Sequence, residues 1–387
     1  MIKVESIFSE LLKLYPRYHF EKAVERYQGD LYVKKFNTWQ QYITILYSQI
    51  KQKDSLRDIE SGLWAYCSRW YHIGLKSVKR STISDANSKR DYRIFEDTFY
   101  HLLSRCKDLT PGHKFKFKNP LYTIDSTTID LCLSLFPWAK FRKTKGAIKM
   151  HCLYDHSGAL PSFIVVTDGK KHDVKAVKET ELPLLPDSIV SLDKAYIDYK
   201  YLYSLYKKRI WFVTRAKFNI DCTITGQHEV SGKGVLRDLR IRLNGKKSQE
   251  DYPKELRIVK FYDEESKKTL VFLTNNFKLA ATTIAQIYKS RWQIEIFFKW
   301  IKQNLRIKSF LGTSRNAVLT QIWIAMSYYL LLVYIKYQTK YKHSLLYLSR
   351  IIKETLFERK SIIDILSLNH EKLLRVQDEE PIQGFLF

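Results

Sequence analysis

Residues 121–133 read LYTIDSTTIDLCL. The run is rich in β-branched and apolar residues, and its first stretch closes on Asp125. Such a composition fits a pleated, half-buried strand. It marks a change of pattern at about residue 116. Downstream, AIKMHCLYD and PSFIVVTD read as two more strands, joined by the turn formers Asp155, His156, Ser157 and Gly158. DVKAVKETELPLL reads as a short helix. SIVSLDKAY is a buried strand ending in Asp193, DYKYLYSLYKKR a helix and IWFVTR a strand. Three strands that pair locally, then alternating strand and helix, predict a mixed α/β sheet.

Upstream the periodicity is helical. NTWQQYITILYSQI carries apolar residues at helical spacing behind Asn37 or Thr38 as cap. Ser55 and Asp58 form a capping box before LRDIESGLW, and RDYRIFEDTFYHLLSRC is amphipathic. Between these two, GLKSVKRSTISDANSKR is basic and polar. It reads either as the turn and flank of a small helical DNA-binding unit or as a solvated loop.

Residues 217–276 interrupt the α/β rhythm with RDLRIRLN, ELRIVKFYD and TLVFLTNN, strands joined by charged turns. Helices are expected over 279–304, 314–338 and 343–357. Four regions follow: a helical N-terminal DNA-binding domain (1–115), a catalytic domain (116–216 and 277–340), a β-strand insertion (217–276) and a C-terminal helical region (341–387).

The 387 residues hold 66 Lys and Arg against 40 Asp and Glu, a formal charge of +26 spread along the chain. A folded, basic protein of this kind points to a polyanionic partner, nucleic acid first. An anionic membrane surface is the weaker alternative. The five cysteines are widely spaced with no CxxC, which suggests neither disulfides nor zinc. The N-terminus, with its acidic residues and no long apolar run, does not read as a signal peptide. Residues 317–335 are apolar enough to mimic a membrane span, but Thr320, Gln321, Ser327 and three tyrosines suit a buried helix.

Residues 288–302 read YKSRWQIEIFFKWIK. At about 100° per residue, Tyr288, Arg291, Glu295 and Lys302 share one narrow stripe. Ile287, Ile294, Phe298, Ile301 and Leu305 form a neighbouring apolar stripe, the core face. A carboxylate at the edge of that face would be rigid yet reachable. The plainer reading is an exposed face with an Arg291–Glu295 ion pair.

Asp125 and Asp193 at strand ends and Glu295 on the later helix could converge. Converging carboxylates repel unless a cation lies among them, and hard divalent ions such as Mg²⁺ or Mn²⁺ take oxygen ligands. Two such ions about 4 Å apart would activate a water or 3′-hydroxyl and stabilise the leaving oxygen of a phosphodiester. Asp130, Asp155, Asp168 and Asp173 lie close in sequence, and spacing alone does not select among them.

YTIDSTTI, KGAIKMH, DGKKHD, SLDKAYIDY, WFVTR and YKSRWQIEIFFKWIKQNL, in that order, resemble the DDE transposases of bacterial insertion sequences. The Tyr-x2-Arg-x3-Glu-x6-Lys spacing resembles the group called the IS-four family. The likeness covers about residues 116–340, with the β-rich insertion between the second Asp and the Glu.

It implies an α/β, ribonuclease-H-like catalytic core preceded by an all-helical domain. Asp125, Asp193 and Glu295 would be catalytic, binding two Mg²⁺ or Mn²⁺ ions. Tyr288, Arg291 and Lys302 would contact the DNA backbone. The partners implied are double-stranded DNA, as terminal inverted repeats and as target, and a second copy in a synaptic homodimer. No membrane is implied, and the setting would be cytoplasmic and nucleoid-associated. Trp211 and Trp292 could stack on a base, although a core role is expected of each. The alternatives are a metal-dependent nuclease of the same fold and a catalytically silent DNA-binding relative.

Overall fold

The computed structural model describes residues 5–142, 145–171, 173–307 and 309–367. His172 of DGKKHD and residues 368–387 of the expected C-terminal region lie outside them. The chain forms two compact units. One comprises Met1–Leu109 with Asn304–Phe387, the other Thr110–Gln303. The expected catalytic segment 277–340 is therefore divided between them at Asn304.

In the first unit, helices run over Ile7–Leu14, Arg17–Arg26, Thr38–Lys51, Leu56–Trp64, Arg80–Lys89 and Arg93–Leu109. The caps fall where the sequence places them. Asn37 and Gln40 exchange a reciprocal capping box, and Ser55 accepts from the Asp58 N–H. The helix Arg315–Gln338 contains the apolar stretch. It is apolar on every side and is buried, packing on Arg93–Leu109, Thr38–Lys51 and Arg80–Lys89.

The second unit is built on a ten-stranded sheet. Its strands are β1 (Leu121–Leu131), β2 (Lys140–Arg142), β3 (Lys145–Asp155), β4 (Leu160–Asp168), β5 (Ile189–Leu192), β6 (Trp211–Arg215), β7 (Cys222–Gln227), β8 (Val235–Leu243), β9 (Leu256–Asp263) and β10 (Lys268–Thr274). β1, β5 and β6 are parallel neighbours. β3 pairs antiparallel with β1, and both β2 and β4 pair with β3. On the other side the order continues β6–β10–β9–β8–β7, all antiparallel. The β-rich insertion thus extends the same sheet.

One buried ion pair organises this extension. Arg257 grips Asp238 with two bonds, Nε–Oδ1 at 2.8 Å and Nη2–Oδ2 at 2.6 Å. Its Nη1 donates to the carbonyls of Asn276 and Leu279, at the entrance to the helix Ala281–Ser290. Removing one partner leaves a buried charge uncompensated, which costs about 3–5 kcal/mol. Asp238→Ala is expected to lower unfolding stability by that amount in a denaturant titration. A change below about 0.5 kcal/mol would show that the pair holds nothing in place.

Candidate active site

The parallel register sets the site. Ile124 pairs with Leu192, and Leu192 with Thr214. One step further come Asp125, Asp193 and Arg215. Strand side chains alternate with period two. All three therefore share the face of Leu121, Ile189 and Val213, which packs under Ile284 and Ile287 of the helix Ala281–Ser290. Asp193 follows the end of β5, as expected. Asp125 does not end a strand. β1 runs on to Leu131 because β3 carries it past the end of β5, so Asp125 closes only the parallel part.

The helix expected over 279–304 is in fact two, Ala281–Ser290 and Trp292–Asn304. At the junction the Arg291 N–H bonds the Tyr288 carbonyl and the Ile294 N–H bonds that of Arg291. Both are tight, i→i−3 contacts. The apolar stripe survives this, with Ile287, Ile294, Phe298, Ile301 and Leu305 all buried. Tyr288 is half-buried, its ring 5.2 Å from that of Phe272.

Arg291 bridges two of the expected carboxylates. Its Nη1 donates to Asp125 Oδ2 at 2.9 Å and its Nη2 to Glu295 Oε1 at 2.5 Å. The arginine side chain is only 14% exposed, against 19% for Asp125 and 34% for Glu295. The Arg291–Glu295 pair of the plainer reading is present, with Asp125 added. Asp125 Oδ1 also accepts from the Ser126 N–H, and Asp193 accepts from the Ala195 N–H. Burial pushes the Asp125 carboxyl up to about 6, and the nearby charges of Asp193 and Glu295 push it the same way. Ser126 and Arg291 oppose the shift. Asp125 therefore feels the charge of both other carboxylates. Lys302 follows Glu295 by two helical turns, about 10 Å along the same helix.

The other candidates lie elsewhere. Asp173 accepts from Ser126 Oγ at 2.6 Å and lies 3.3 Å from Lys149 Nζ, in a network with His151. Ser126 alternates with Asp125, so this network occupies the opposite face. Asp155 accepts from the Ser157 N–H in its turn. Trp211 packs against the apolar cluster over the sheet. Trp292 does not have its expected core role: it is 61% exposed. Arg215 escaped the reading of the sequence, though it is the last residue of WFVTR. It follows Thr214, the partner of Leu192, so the parallel register carries it to the same end of the sheet as Asp193.

The donor set is all oxygen, and a positive group already lies between two of the carboxylates. Both features suit a hard cation. Among the described residues, no three His, Cys, Asp or Glu side chains gather into one ion's shell. Arg291 takes oxygens that an ion would use. A protonated Asp125 is a poor ligand, so divalent-cation affinity is expected to rise with pH through about 6 and then level off. Titration calorimetry with Mn²⁺ at pH 5 and 7 should differ by about tenfold. Equal affinities would exclude Asp125 as a ligand.

Residues 116–331 match the model of the transposase DDE domain. The chain belongs to the DDE transposase family. Residues 3–76 match a domain of unknown function, DUF4372. A Sinorhizobium fredii protein named as transposase y4zB is 32% identical, over 73% of this chain and 79% of its own. The transposase named for insertion sequence element IS5377 of Geobacillus stearothermophilus is 30% identical, over 69% and 70%. A piggyBac transposase, solved as a synaptic complex with hairpin DNA, aligns with TM-score 0.47 and 12% identity, over 96% of this chain and 83% of that one. The protein is an insertion-sequence DNA transposase, an enzyme of DNA cleavage and strand transfer. DDE transposase domains in general use divalent metal ions.

Proposed function

We propose that this transposase moves its element by cut-and-paste, with a ribonuclease-H-like core in residues 116–216 and 277–340 and an IS-four-type active site. The observation that carries the reading is the alignment of Asp125 and Asp193 on one sheet face, with Glu295 tied to Asp125 through Arg291. Asp125, Asp193 and Glu295 would hold two Mg²⁺ or Mn²⁺ ions. When bound, such ions activate the attacking oxygen and stabilise the leaving one. The chain's own groups do the rest. The Ser126 and Ala195 N–H groups fix the two aspartates. Arg291 holds Glu295 against Asp125, and its guanidinium would also suit a backbone phosphate at the site. Tyr288 and Lys302 line the strand on either side. Residues 1–115 bind the terminal inverted repeats, two chains pair the ends as a homodimer, and the freed 3′-hydroxyl attacks target DNA. The insertion, 217–276, grips the cleaved end. The setting is cytoplasmic and nucleoid-associated.

The test is a labelled duplex carrying the element's end, with Mg²⁺ or with chelator, and with a target plasmid. Metal-dependent cleavage and joining is expected. Cleavage without joining would favour a nuclease, and end binding without any product a silent relative. DNA affinity should also fall steeply with salt, each neutralised phosphate adding about −0.9 to the log–log slope. Lys302→Ala should reduce that slope by about one unit, and an unchanged slope would remove Lys302 from the DNA path.

A further inference from the structure

The basic segment left open in the sequence, residues 74–90, contains a helix, Arg80–Lys89. Ile83, Ala86 and Asn87 bury one side of it. At 100° per residue the opposite side carries Arg80, Ser81, Ser84, Asp85, Ser88 and Lys89, all exposed. This face is small and polar along its middle and basic at both edges. It has no apolar residue that would call for a protein partner.

Thr82, Asp85 and Lys89 on one side of the helix form a wall of a groove of about 1070 Å³, and the loop Tyr27–Phe36 forms the other; Ser84 and Ser88 lie on the exposed face beside it. Lys34, Lys35 and Lys79 stand on its rim, exposed and with no ion-pair partner among the described residues. Tyr32 is 93% exposed and held at φ 58°. An aromatic residue in the left-handed region is a strained arrangement, and such strain clusters at binding sites. The two walls are fixed to each other. Buried Arg90, just after the helix, donates to Gly29 O at 3.0 Å, to Gln41 Oε1 at 3.2 Å and to Phe36 O. Asn87 accepts from Gln41 at 2.9 Å.

We infer that the duplex at the element's end docks here, with the exposed face of the helix Arg80–Lys89 in the major groove and one phosphate strand in the adjoining groove. The inference rests on the end-binding role proposed above and names its surface. An α-helix fits the major groove, and ten residues span about 15 Å, four to five base pairs. Ser84, Asp85 and Ser88 face the base edges, where a hydroxyl serves either kind of partner and a carboxylate accepts from cytosine N4. Lys34, Lys35 and Lys79 take the phosphates of that strand, and Tyr32 packs on its backbone.

The full-length protein would be titrated by fluorescence anisotropy against the element-end duplex and a scrambled duplex of equal length. Lys34→Glu/Lys35→Glu should weaken both at least tenfold, while Lys34→Arg/Lys35→Arg binds as wild type. Ser84→Ala/Asp85→Ala/Ser88→Ala should cut the preference for the end at least threefold and change scrambled binding little. Circular dichroism melts matching wild type establish that the variants fold. If wild type prefers the end and the triple variant keeps that preference, the helix is not the reader: the inference fails and the proposed function stands. If wild type shows no preference, the end-binding role fails with it.

Discussion

Arg291→Ala is expected to destabilise the protein by about 2–3 kcal/mol in the presence of chelator, less than the roughly 3–5 kcal/mol of a fully buried ion pair because Glu295 is partly exposed. The change leaves Asp125, Asp193 and Glu295 facing one another with no cation among them. Added Mg²⁺ should therefore raise the melting temperature of the variant more than that of wild type. On the proposed ligand set, an ion in wild type would compete with the guanidinium for Asp125 Oδ2 and Glu295 Oε1. In the variant it would not. Equal shifts in the two proteins would mean that ion and arginine do not share those oxygens. The variant should also cleave poorly despite better ion binding, because the phosphate loses its guanidinium.

Glu295→Gln, Asp125→Ala and Asp193→Ala should each lower cleavage and joining by about a thousandfold or more. Metal-ion stabilisation of the reacting oxygens is worth several kcal/mol, and each 1.36 kcal/mol is a factor of ten in rate. Bulk DNA binding should remain within about threefold, since most of that affinity comes from phosphates spread over the surface. Glu295→Gln should melt near wild type, because a partly exposed pair contributes at most about 1 kcal/mol. Full activity in a folded Glu295→Gln protein would remove Glu295 from the chemistry. Loss of folding would return it to the structural ion pair.

Much of this was legible in the sequence, for local reasons. Alternation and β-branching marked eight of the ten strands. β2, with three residues, and β7, largely exposed, carry too little apolar pattern to stand out. Caps such as Asn37 and Ser55 are contacts over three residues and follow from spacing. The core stripe from Ile287 to Leu305 follows from the 3.6-residue period. The candidate carboxylates were also visible, but their selection rested on resemblance, since any aspartate near a strand end reads alike.

Only the tertiary structure decided how they meet. That Asp125 and Asp193 meet on one face depends on the parallel pairing of β1 with β5, strands more than sixty residues apart in the chain. The parallel pairing of β5 with β6 places Arg215 beside Asp193, which no local pattern signals. The turn at Arg291 divides a helix whose periodicity looks unbroken, and the guanidinium reaches Asp125 across 166 residues of chain. Sequence periodicity reports which side of an element is apolar, because that depends on near neighbours. Which charges end up within 3 Å of one another depends on strand register and helix junctions, and those are fixed only when the whole sheet assembles.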